Sequence, residues 1–480
     1  MRLFKMDSKV TKIRHNLDSI IKYLTPLLPL ANCHMVEFLT HNHWEKLLPR
    51  PLTESLDSME LNDAVENFWM SLDVKNCTSE LDKWIVNARS HCILANNDYC
   101  LTREQLSDRI KAWGGEIKPE IKVSEFMNSK KSYEVQTMSG LVASLHEVCG
   151  SSCCVEVGGG RGHLLTSLSL SHGAPSLTVD CDETYVRAAA DRARKISKQW
   201  HAIAKKIHNG TEERVARHTG DLHRFAAAFV TSETDLAGVV RQSFPEYKDD
   251  GVTVLLTGLH TCGNLGPDSL RIFTHQPTTA AVFNVPCCYH LLTEQIDEGL
   301  FDVFQRNYGG QNGMTGFPMS EHLKGLNLGR NARMLAAQSI DRVLHHRQLP
   351  NKSLIYRALL QVIIKQHLPD AVLSEGKLKR IAKCETFQQY FKMADSILKL
   401  NIMDNLPEKY LQELHKEMDG QWKKLVLFYL LRLCLAQVIE SVILLDRLLY
   451  LCENGFDKVF LVKLFDPVLS PRCHSLVAVR

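Results

Sequence analysis

No C-x-x-C pair, internal repeat or low-complexity tract occurs in the sequence. Neither sign of charge dominates: 57 Lys and Arg stand against 54 Asp and Glu, a net charge of +3. That balance excludes a global field recruiting nucleic acid, so any such binding must use a local patch. A secretory leader is not expected, because the N-terminal apolar stretch is interrupted by Lys22, Pro26 and Pro29 and lacks a small-residue cleavage site. The 15 cysteines, some vicinal like Cys153 and Cys154, then read as reduced thiols. The expected location is cytoplasmic or nuclear, with a mitochondrial address as the alternative left by the Lys- and Arg-rich start. A clean membrane span is also missing. The most apolar stretch, residues 425–451, contains Arg432, Gln437, Glu440, Asp446 and Arg447, and reads as a mostly buried core helix, with no membrane partner expected.

A hydrophobic fraction of 45% and a charged fraction of 23% suit a globular chain, and 480 residues suffice for three domains or one elaborated α/β domain. The first 125 residues show helical periodicity, as in HNLDSIIKYL, without strand-like alternation. Beyond the turn or linker GGEIKPE (114–120), strands alternate with helices. CCVEV (153–157), SLTVD (176–180), VARHTGD (215–221), VTVLLTGL (252–259) and AAVFNV (280–285) are the expected strands of a parallel sheet with crossover helices. A long helix, 421–452, then precedes a strand hairpin made of DKVFLVKLFD (457–466) and HSLVAVR (474–480).

Directly after the first strand comes VEVGGGRGH (155–163), in which Gly158, Gly160 and Gly162 form G-x-G-x-G two residues beyond Glu156. Glycine lets the backbone turn sharply and approach a ligand with no Cβ in the way. The dinucleotide fingerprint G-x-G-x-x-G would need glycine where His163 stands. S-adenosyl-L-methionine fits better, since it has no pyrophosphate but carries an ammonium that suits a nearby carboxylate, Glu156 through water. Asp180, ending the second strand, would accept both ribose hydroxyls, and Asp221, ending the third, the adenine amino group. The plain alternative is a cofactor-free sheet with these residues in its turns. The expected fold is α/β, a class I (Rossmann-like) methyltransferase sheet of seven strands, the last inserted antiparallel between the fifth and sixth. Its domain would be discontinuous: a helical region at 1–125, the first part of the core at 126–300, a helical insertion at 301–415, and the last helix and hairpin at 416–480.

Ligands of open α/β sheets bind beyond the carboxyl ends of the strands. The fourth strand runs into GLHTCGNLG (258–266) and the fifth into FNVPCCYH (283–290). As neighbours they should bring His260, Cys262, Asn284, Cys287, Cys288, Tyr289 and His290 beside the transferred methyl group. The octapeptide departs from the N-P-P-Y loop of adenine methyltransferases, which follows the fourth strand and not the fifth. It is otherwise half of a zinc site or a turn leaving the core. H-x-C and C-C-x-H supply enough ligands, but adjacent cysteines are an awkward tetrahedral pair, and no metal is expected. His260 is the candidate general base, or else a histidine that holds the loop. Tyr289 would place the acceptor with His290 beside it, and Cys262, Asn284, Cys287 and Cys288 would line the pocket.

Together MNSKKSYEV, VEVGGGRGHL, GLHTCG, the CCYH turn and the tail LAQVIESVILLDRLLYL with LFDPVLSPR resemble the methyltransferase-like protein 25 family, from about Met127 to Arg480. The resemblance implies a class I methyltransferase. A more distant likeness is to tRNA acceptor-stem ribose 2′-O-methyltransferases, where a similar His-x-Cys-Gly segment is followed by Cys-Cys-His-His. On it His260, Cys262, Gly263, Cys287, Cys288 and His290 match site positions, Tyr289 replaces a histidine, and the zinc modules of those enzymes are missing. The expected activity is methylation of RNA, at a ribose 2′-O or a base. A catalytically silent cofactor-binding scaffold and a protein methyltransferase are the alternatives. RNA would follow Arg187, Arg192, Arg194, Lys195 and Lys198, or the KLKRIAK segment (377–383), although interleaved acids such as Asp191 equally suit solvated helix faces. The segment 309–325, with Phe317, is either a mobile lid or a loop.

Overall fold

The computed structural model describes residues 2–72, 77–92, 99–123, 127–207, 222–247, 251–295, 314–371, 375–378, 381, 384–403 and 406–480. Its strands are β1 (Cys100–Thr102), β2 (Cys153–Val157), β3 (Ser176–Asp180), β4 (His223–Ala227), β5 (Val254–Cys262), β6 (Thr279–Cys287), β7 (Lys458–Lys463) and β8 (His474–Val479). They form one sheet in the order β1-β7-β8-β6-β5-β2-β3-β4. The pairs from β6 through β5, β2 and β3 to β4 are parallel, and β8 runs antiparallel between β6 and β7. Strands covered on both faces need near-continuous apolar runs, and all five residues of β2 and all six of β8 are buried. The order reverses at β2, flanked by β3 on one side and β5 on the other, which opens a crevice at the carboxyl ends of β2 and β5.

Two expectations about the sheet need correction. An eighth strand exists: β1, from the otherwise helical N-terminal region, pairs parallel with β7 at the edge. Three residues are too few for strand periodicity to register. The expected 215–221 stretch lies outside the described residues, and the third crossover strand is β4 at His223–Ala227. Its Ala-rich run HRFAAAF lacks the β-branched residues that advertise a strand.

The apolar stretch near the C-terminus is two helices, Glu408–Leu433 and Ala436–Glu453, because the chain breaks at Cys434 and Leu435. Residues 420–453 are long and apolar enough to cross a membrane, yet 89% of an apolar 18-residue window within them is buried inside the protein. The helix Arg2–Leu24 packs against Ala436–Glu453, and both belong to one hydrophobic core with the central strands. Buried charges are tolerated where they have partners. The Arg432 guanidinium donates to the carbonyls of Leu30 and Ala31 at 3.0 and 2.7 Å, and Asp446 accepts from the backbone N–H groups of Met319 and Ser320 at 2.7 and 2.9 Å. Those last bonds, with Phe317 fully buried, dock the described part of the 309–325 segment onto the core as a strap; residues 309–313 lie outside the described residues.

Candidate active site

Gly158, Gly160 and Gly162 all adopt left-handed backbone, with φ of 64°, 51° and 65°. Side chains disfavour that region, so this loop can be built only from glycine at little cost. A Cβ on Gly160 would meet nothing within 4 Å, so the space above the loop is open. The Gly160 N–H donates to Asp180 Oδ2 at 2.8 Å, which ties the loop to the end of β3.

Beneath the loop Glu156 is buried on β2. The backbone N–H groups of Leu259 and Leu165 favour its ionised form, while its Oε2 is buried with no partner. Burial pushes its carboxyl up to about 7, against the opposing charge of Lys131. An orphaned carboxylate oxygen in a core is costly unless something pairs with it. A cavity of about 780 Å³ opens at the loop, lined among others by Gly158, Asp180, Phe229, Cys262, Asn264 and Met314. That volume suits a nucleotide-sized ligand.

Asp221 lies outside the described residues. The strand expected to end at it begins after it, so the residues facing the crevice from β4 are instead 228–233, which line the cavity. Phe229 among them is 78% exposed, with its ring at the cavity wall. The sequence signal for these residues was available in AAFVTSET, had the strand been placed correctly.

His260 sits at the end of β5 with its Nε2 3.2 Å from Glu134 Oε2. Glu134, on the helix Ser129–Val148, is fully buried and also accepts from the Ser470 hydroxyl at 2.7 Å and the Lys131 ammonium at 2.9 Å. Desolvation by burial would raise its carboxyl, but the His260 bond and the Lys131 charge outweigh that and hold it well below the usual range. Glu134 was not anticipated, since it lies 126 residues from His260.

Tyr289 is not placed for the acceptor, and its expected catalytic role is corrected. Its side chain is fully buried, its hydroxyl donates to Glu440 Oε1 at 2.8 Å, and the Arg447 guanidinium lies over its ring at 5.9 Å. The turn after β6 directs it into the core. His290 on the same turn is half-buried, and its Nδ1 has no partner. Asn284, opposite Gly258 in the β5–β6 register, is buried with both amide atoms unpartnered. Of the expected pocket residues Cys262 lines the cavity, and Cys287 and Cys288 reach its sulfur from β6.

A family model described as a methyltransferase domain matches residues 130–295, the span that carries β2 to β6 and the residues just described from Glu134 to His290. Two curated relatives match over nearly the whole chain. Probable methyltransferase-like protein 25 of Mus musculus is 28% identical, with 98% of this chain and 96% of the relative covered. The Homo sapiens protein of the same name is 27% identical, with 98% and 97% covered. No solved structure matches the chain significantly. Sheet order, glycine loop and these likenesses converge: the chain is a methyltransferase of class I, Rossmann-like fold, similar along its length to methyltransferase-like protein 25.

Proposed function

We propose that the methyl donor is S-adenosyl-L-methionine and that the acceptor is RNA, methylated at a ribose 2′-hydroxyl or a base. The observation that carries the donor is the orphaned Glu156 oxygen beneath a left-handed glycine loop tied to Asp180. When bound, this cofactor supplies an electrophilic methyl group on a sulfonium. Glu156 would hold its ammonium, Asp180 its ribose hydroxyls, and Phe229 would flank the base.

For the acceptor, the Glu134–His260 pair is a base held by an orienting carboxylate. An ionised carboxylate only accepts, so His260 Nε2 must donate to it, and the proton-accepting lone pair falls on Nδ1. Such a base suits a hydroxyl acceptor, whose proton has to leave as the methyl arrives. Cations near these residues favour a polyanion. Lys130 and Lys131 lie beside Glu134, Arg192 bonds the Arg161 carbonyl behind the glycine loop, and Arg472 acts on Cys262 and Cys288.

The test is transfer of labelled methyl from S-adenosyl-L-methionine to total RNA and to cell extract, followed by nuclease or protease digestion and nucleoside analysis. Label released as a methylated nucleoside supports the reading. Label that survives nuclease and yields to protease replaces RNA by protein, and cofactor binding without transfer replaces the reading by a scaffold.

A further inference from the structure

Three thiols meet where β5 and β6 end. Cys262 Sγ lies 2.9 Å from Cys287 Sγ and 3.3 Å from Cys288 Sγ, and the three sulfurs fall within 4.8 Å of one another. Cys262 and Cys287 meet because they are register partners on adjacent parallel strands. Successive strand residues point to opposite faces, so Cys288 should point away. It does not, because the chain turns there into a left-handed conformation, φ 49°. That conformation is uncommon for a residue with a side chain and persists only where the surroundings enforce it. Here Leu291 N–H closes the turn onto the Cys288 carbonyl at 2.9 Å. From the other strand Gly263, φ 55°, approaches so closely that a Cβ would sit 2.9 Å from the Leu291 carbonyl oxygen. The awkwardness of an adjacent cysteine pair is thus removed by the backbone.

Apolar packing does not account for the trio. Core thiols such as Cys153, Cys154 and Cys434 are sealed, whereas Cys262 is exposed and Cys288 half-buried. A disulfide would join only two sulfurs, whereas Cys262 is shared between two partners. A cation is shared by all three. With zinc–sulfur bonds of about 2.3 Å, tetrahedral sulfurs stand roughly 3.8 Å apart, which these reach by sub-ångström to ångström adjustments.

We propose that Cys262, Cys287 and Cys288 bind one zinc ion as three thiolates, with the fourth position left to an exchangeable ligand beside the cavity that Cys262 lines. Binding releases three thiol protons and leaves one net negative charge, which Arg472 is placed to offset. The ion would pin together the two turns that carry His260 and His290, whatever the methyl donor and acceptor are.

The test uses the untagged full chain, purified under reducing conditions, loaded with zinc or cobalt(II) alone and freed of excess metal. Elemental analysis is expected to find one equivalent of zinc, and the cobalt form to show thiolate charge-transfer and tetrahedral d–d bands. Cys262→Ser and Cys288→Ser should each lose the metal while keeping the wild-type circular dichroism. If those variants fail to fold, the wild-type cobalt spectrum decides by itself. No retained zinc and no charge-transfer band in the wild type overturns the proposal. So does zinc retained in both serine variants, which would move it elsewhere, for example to Glu37, His41 and His43.

Discussion

Replacing Glu156 by Gln removes a charge that the apo protein holds at a loss. Its carboxyl stands at about 7 against an ordinary 4.5, because burial disfavours the anion. As pH rises through 4.5 the unfolded chain releases this proton and the native chain does not. The native state therefore loses stability until pH passes about 7, after which both states are ionised and the loss is complete. At about 1.4 kcal/mol per pH unit the loss amounts to about 3 kcal/mol. Gln has nearly the same shape and carries no charge. Denaturant unfolding from pH 5.5 to 8 should show Glu156→Gln gaining on the wild type as pH rises and levelling off above pH 7. The same variant should bind S-adenosyl-L-methionine more weakly by about 1–3 kcal/mol in calorimetry, the worth of a hydrogen bond to a charged group. Wild-type affinity should itself fall below pH 7, where Glu156 must first give up its proton. A variant no more stable than wild type at pH 8, with unchanged affinity, would refute both the orphaned anion and its ligand.

Gly160→Val should cost about 1–2 kcal/mol of stability from the left-handed backbone alone, and abolish calorimetric binding of S-adenosyl-L-methionine; full binding would mean that the cofactor lies elsewhere. His260→Ala should lower turnover by about 10²–10⁴-fold with cofactor affinity within a few-fold. Glu134→Gln should lower it less, since an amide oxygen still accepts from Nε2 but brings no charge; wild-type turnover in both would remove the base assignment. Tyr289→Phe deprives the buried Glu440 of its donor and should destabilise by about 1–3 kcal/mol at unchanged turnover. Lost turnover without lost stability would instead return Tyr289 to the acceptor.

The glycine loop and its nearness to Asp180 were legible because they are local: strand, turn and next strand end fall within about 25 residues of one another. The antiparallel closing hairpin was legible from two apolar runs around a Pro- and Ser-containing turn. The position of β4 was not, since its alanines carry little strand preference and the polar 215–221 stretch competed for the role. Nor was the Glu134–His260 pair, which exists only once the helix Ser129–Val148 has packed against β5. Tyr289 illustrates a different limit. Proximity to a strand end was correct, but the rotation of the chain after β6, set at Cys288, decides which side chains face the crevice.

The placement of β8 has a consequence for how the protein is made. Until residues 474–479 have been synthesised, β6 keeps an open hydrogen-bonding edge, and β7 with β1 has no place in the sheet. Helix Arg2–Leu24 waits as well, because the helix it packs on, Ala436–Glu453, emerges more than 400 residues later. A nascent chain therefore carries an unfinished apolar core through most of its translation, and a bare β6 edge from residue 287 until β8 is made, the state in which chains mispair. Holdase chaperones should engage it between the emergence of β6 and that of β8, and release it once the last strand slides into its slot.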